Sequence, residues 1–322
     1  MRHWLWLIIC CLTLLACSKQ GEVIIETASG KGLTAEDIDR DPWALLPEGA
    51  LAWVYLDTRQ LFESRFGDQT LALTERAMPI PPEAGFEPKR DLQKLQLGLY
   101  SMQGADFAGV ASGQFDPQKI EQAASSTAKT PLGYPVEKSR YAERTLYVAG
   151  DAGFSVVTPH TVVFGNMTGM RRVLDRIQEG RVERPIPTWL DGLLKTPDAA
   201  LVLGGDLTSN PLSAATRQQL PFLDGLKTVQ LLGNFKDPGL NFAGTLSYDT
   251  DAAAERGATN LMNVDQLLKS YGWVMSLLGL AQPIQRLEAH AEDSNTKLVL
   301  AVDGQAVAML LGRADALLPK AP

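Results

Sequence analysis

Past residue 17 the chain has no cysteine: its three are Cys10, Cys11 and Cys17. The body therefore has no disulfide, no thiol nucleophile and no cysteine metal site. Histidine is nearly as scarce, with only His3, His160 and His290. Neither body histidine has a second histidine or an acidic pair at ligand spacing, so each reads as a surface or hydrogen-bonded side chain. H-E-x-x-H, C-x-x-C, G-x-S-x-G and the P-loop pattern are missing. There is no basic run, and 30 Lys+Arg against 37 Asp+Glu leave a formal charge of −7, which argues against nucleic acid as a partner. No apolar stretch reaches the roughly 20 residues of a membrane span. Metal, thiol and nucleotide chemistry thus lose their usual residues, and no cofactor is expected.

What is present is an ordinary globular composition, 45% hydrophobic and 21% charged over 322 residues, enough for a sizeable core. Ahead of it stands a short basic head, Met1-Arg2-His3, then an apolar run from Trp4 to Ala16. That is the build of a secretory signal. The run ends Leu14-Leu15-Ala16-Cys17, which resembles the lipobox of bacterial lipoproteins. The resemblance implies cleavage after residue 16, a diacylglyceryl group on the Cys17 sulfur and often an acyl chain, such as palmitate, on the new amine. Cys10 and Cys11 lack the small preceding residue. Several acyl chains at about 0.8 kcal/mol per buried methylene give stable anchoring. Ser18, rather than Asp, after the cysteine resembles the pattern of lipoproteins sent to the outer membrane in Gram-negative cells, facing the periplasm.

Residues 17–41 are polar and read as a flexible tether. Gly30-Lys31-Gly32-Leu33-Thr34-Ala35 matches G-x-G-x-x-A, but the strand and βαβ unit of a dinucleotide site do not precede it. Linker glycines with Thr34 capping a short helix explain it better.

The body is written twice. Leu95–Ser101, a turn and Phe107–Ser112 recur as Val229–Phe235, a turn and Phe242–Ser247, and each copy runs into a helical pattern. Ala50–Asp57 and Ala199–Asp206 open the copies, the first apolar on both alternating faces and so central in a sheet. The spacing predicts an α+β fold of two tandem modules, residues 42–185 and 186–322, each an antiparallel sheet with helices packed on one face and quasi-twofold related. Within them Asp116-Pro117 opens a helix, Thr168 caps another that Gly180 stops, and Met78–Pro82 forms a surface loop. Asp303-Gly304, between two apolar runs, signals a closing hairpin. The strand LPEGALAWVYLD and the doubled hairpin also resemble an uncharacterised family of exported bacterial proteins that repeat such a module over about 46–313. That resemblance brings no catalytic residues.

Asp57 with Asp206 and Asp116 with Asp249 recur between copies, but capping accounts for them more simply than acid-pair catalysis. The helical pattern from Asp251 to about Leu280 is apolar well beyond one face. Burial explains most of this, while an apolar groove lined by Met262, Trp273, Met275 and Leu277 is its functional reading. The expected function is non-enzymatic: binding, scaffolding or assembly at a bacterial envelope. A carrier or chaperone for a lipid or other apolar ligand is the first alternative. A hydrolase is the second, and it requires the fold to bring His160 or His290 beside a carboxylate in a cleft.

Overall fold

A computed structural model describes residues 32–317 except 79, 102–105, 125–128, 182, 198 and 271–281. The described residues open with helices α1 (Ala35–Arg40) and α2 (Pro42–Leu45), strand β1 (Ala52–Asp57), and helices α3 (Thr58–Glu63), α4 (Gly67–Ala77) and α5 (Pro88–Asp91). The hairpin β2 (Leu92–Leu99) and β3 (Phe107–Gly113), α6 (Pro117–Ala123) and strands β4 (Glu137–Tyr141), β5 (Arg144–Ala149), β6 (Ala152–Thr158) and β7 (Thr161–Gly165) follow. Then come α7 (Met167–Glu179), α8 (Thr188–Leu194), β8 (Leu201–Asp206), α9 (Ala214–Gln219) and the hairpin β9 (Leu226–Asn234) and β10 (Gly239–Tyr248). The chain closes with α10 (Asp251–Ser270), β11 (Ile284–Glu292), β12 (Asn295–Asp303) and α11 (Gly304–Leu317).

The twelve described strands form one antiparallel sheet in the order β11-β12-β10-β9-β8-β1-β2-β3-β7-β6-β5-β4. The fold is α+β, as the spacing indicates. The order reads outward from the β1–β8 junction in both directions: opening strand, hairpin, then a strand pair that returns to the hairpin. In the first half β3 pairs with β7 and β7 with β6; in the second β10 pairs with β12 and β12 with β11. The repeat is therefore folded as a quasi-twofold about an axis normal to the sheet. The two modules share a single sheet.

Helices lie on both faces, not one. Neighbouring residues of a strand point to opposite faces, and on β3 Val110 enters one buried cluster while Ala111 enters another. On the Trp53 face, Trp53, Val110, Val163 and Val202 pack against Ile38 of α1, Trp43 and Leu45 of α2, Met170, Val173, Leu174 and Ile177 of α7, and Leu190 of α8. On the opposite, Val54 face, Ala111, Phe154 and Val162 pack against Phe62 of α3 and Ile120 of α6. Further along that face, Leu246 meets Ala253 and Ala254 of α10.

Several local expectations change. Residues 34–41, assigned to the tether, belong to the body: Thr34 and Asp37 make a reciprocal capping box, Ile38 is fully buried, and Asp39 accepts hydrogen bonds from Thr158 (2.5 Å) and Thr161 (2.6 Å). The cap of α7 is Asn166, whose side chain accepts from the Gly169 N–H, rather than Thr168; Gly180 ends the helix in the left-handed region. Ile80 of the Pro-rich excursion is buried in the Val54-face cluster. Asp303-Gly304 makes no hairpin. Its aspartate accepts from the Gln305 and Ala306 N–H groups and starts α11. The hairpin turn sits earlier, at Asp293-Ser294 between the paired Glu292 and Asn295, with Asp293 at φ 52°.

Candidate binding face

Directly paired residues of an antiparallel sheet share a face. One row on the Val54 face can be followed through the register: Gly109 of β3, Leu97 of β2, Val54 of β1, Leu203 of β8, Leu231 of β9, Gly244 of β10 and Leu298 of β12. The row beside it runs Leu95, Leu56, Leu201, Gly233, Phe242 and Leu300. Neither contains a polar side chain. The first row is buried at its ends, Gly109 and Leu298, and only half-buried at Leu97, Val54, Leu203 and Leu231 between them; in the second row Leu95, Leu56, Leu201, Phe242 and Leu300 are all half-buried.

The borders of this strip are built by both halves. At one end Phe66 meets Phe235 edge-on at 6.4 Å, and the Arg65 guanidinium, beside Gly304, donates to the Pro238 carbonyl at 2.8 Å. At the other, Leu207, Leu212 and Leu223 join the cluster under α10. Tyr248 is seated there where Gly257 offers no side chain, and its hydroxyl donates to the Phe222 carbonyl at 2.8 Å. Burial pushes the Tyr248 phenol up to about 12.

Helix α10 docks through small residues, Ala253, Ala254, Gly257 and Ala258. Leu261 packs against the same cluster, but two larger apolar side chains are left outside: Val264 is 40% and Leu267 57% exposed, as is Leu310 of α11 at 61%. Met262 is half-buried on α10, whereas Trp273, Met275 and Leu277 lie outside the described residues, as does Cys17. Sequence reasoning missed Asp265. It is buried on α10, with one oxygen 2.6 Å from the Lys269 ammonium and the other without a hydrogen bond among the described residues. Only its i, i+4 spacing to Lys269 could have marked it.

The remaining candidates are dispersed. His160 is exposed in the β6–β7 turn, its Nδ1 3.3 Å from the Gly113 carbonyl. His290 lies 3.3 Å from Glu292, but both are exposed on edge strand β11, so the pair has no cleft around it. Asp57 caps α3, accepting from the Gln60 N–H. Asp116 caps α6, holding its carboxyl below the usual range through the Lys119 N–H. Asp206 turns the chain through Thr208. Asp249 leaves capping to Thr250, whose hydroxyl accepts from Ala253. Among the described residues no three His, Cys, Asp or Glu side chains converge on a possible metal position, and no helix is long and apolar enough to cross a membrane.

No family model and no curated protein matches the chain. The fold resembles that of TP0453. Crystal form I of that Treponema protein aligns with 85% of this chain and 97% of its own at 11% identity and a TM-score of 0.51. Crystal form IV aligns with 84% and 96% at 11% identity and 0.50. At this identity TP0453 speaks for the arrangement of sheet and helices alone.

Proposed function

We propose that the chain is a lipid-anchored envelope protein, held through Cys17, whose body is a non-enzymatic binding or assembly module. The observation that carries the binding reading is the all-apolar strip across β2, β1, β8 and β9, half-buried where the repeats meet. Fully covering one aliphatic side chain is worth about 1.5–3 kcal/mol. An occupant that shields several therefore offsets much of the roughly 4–15 kcal/mol that association costs. The exposed Val264, Leu267 and Leu310 supply further apolar contact on α10 and α11. The lipobox resemblance supports the anchor, and Ser18 supports an outer-membrane address.

A photo-crosslinking side chain at Leu203 or Leu231, in cells, tests the binding reading. It predicts a discrete adduct from these positions and none from exposed Lys227 on the same sheet. The absence of any adduct at both strip positions contradicts it. The carrier reading draws on the same strip, whose rows offer no polar group to orient a protein partner. Native mass spectrometry separates the two, since a carrier retains lipid and an assembly module does not.

A further inference from the structure

A second site lies where α9 and the turn after it meet the first half of α10. An open cavity of about 480 Å³ is lined there by Ala214, Arg217 and Gln218 of α9, Pro221, Asp224, and Arg256 and Asn260 of α10. Two arginines, a glutamine and an asparagine from separate elements thus border one space. Arg256 and Asn260 are four apart, so both project from one side of α10. The other positions one helical turn from Arg256 are Ala252, Ala253 and Thr259, none of them acidic. No acidic side chain ion-pairs with Arg256 among the described residues. Arg217 meets Asp224 only at 3.5 Å, with the carboxylate 55% exposed. The lining carries two cationic groups against one anionic, on a chain whose formal charge is −7.

From this arrangement we infer that the Arg217–Arg256 cavity is an anion site for a phosphate-bearing ligand. A planar guanidinium offers paired N–H donors that match two phosphate oxygens, and Gln218 and Asn260 add neutral donors beside them. Asp224 opposes the ligand and competes for Arg217. A soluble phosphate monoester and a phospholipid headgroup share this chemistry.

The test uses the full chain and three variants that leave buried positions untouched: R217Q, R256Q and their combination. Calorimetric titration with glycerol 3-phosphate and with inorganic phosphate is expected to show saturable binding, weakened about tenfold or more in the double variant with its thermal unfolding unchanged. D224N removes the competing carboxylate and is expected to bind more tightly than wild type. Vesicle flotation of the same proteins carrying Cys17→Ser, and so without the acyl anchor, then assigns the source. A preference for phosphatidylglycerol over phosphatidylcholine that is lost in the double variant identifies a lipid headgroup, and phosphate binding without that preference identifies a soluble ligand. No heat with either phosphate, or equal affinity in wild type and double variant, overturns the inference.

Discussion

Val54 and Leu203 are paired directly across the β1–β8 junction, and they are also equivalent in the repeat, each lying three residues before its strand's terminal aspartate. The pairs around them obey the same relation, with Ala52 opposite Gly205 and Leu56 opposite Leu201. A residue that faces its own counterpart marks the quasi-twofold axis, so the half-buried strip sits where the two copies meet.

The strip's partial exposure has an energetic signature. Leu190, fully buried on the Trp53 face, should lose about 2–5 kcal/mol on truncation to Ala. Leu203→Ala should cost clearly less, because part of its surface is already in water. Denaturant unfolding of the two variants checks the order; equal losses would mean the strip is sealed core.

The first described helix is a structural member. Ile38→Ala should cost about 2–5 kcal/mol, as for a fully buried core aliphatic. Substitutions at exposed Glu36 should stay within about 0.5 kcal/mol. Thermal unfolding of both decides whether residues 34–41 are tether or body.

Acid should remove a specific contribution at Asp91. Burial pushes its carboxyl up, but Arg90, bonded through two nitrogens at 2.6 Å each, and the Glu87 N–H outweigh that and hold it below the ordinary aspartate value. A folded-state value below the unfolded one stabilises the protein above the unfolded value, and the gain is lost as pH falls through the folded one. Asp91→Asn should therefore lower stability at neutral pH by about 1.5–3 kcal/mol. The gap from wild type should narrow below about pH 4, as measured by unfolding at a series of pH values.

Asp303→Ala should cost about 0.5–2 kcal/mol, the usual loss of a helix N-cap, and reduce helical circular dichroism. An unchanged helical signal would contradict the capping role.

Strands whose alternation is set by burial could be read from the chain alone: β1, β8 and the two hairpins fall where Leu95–Ser112 and Val229–Ser247 place them. So does the Asp116-Pro117 helix start, because the capping carboxylate acts locally. Charged β4, Glu137–Tyr141, carries no apolar alternation because it is an edge strand, and was missed. The Asp303-Gly304 signal failed because a type I′ turn needs positive φ at both central residues, and Gly304 does not adopt it. The same aspartate oxygen caps a helix instead. Ile38 stands alone among acidic residues, so its burial depends on β6 and β7, more than a hundred positions away. The strip escaped notice for the same reason: its leucines look like core in each strand, and only the register shows which rows are left half-covered.

The proposed envelope localisation rests on lipidation of Cys17, and metabolic labelling with radioactive palmitate tests that proposal most directly. The account predicts label in the wild-type protein, recovery with the membrane fraction, and loss of both in Cys17→Ser. An unlabelled wild-type protein, or label that persists in Cys17→Ser, would contradict it.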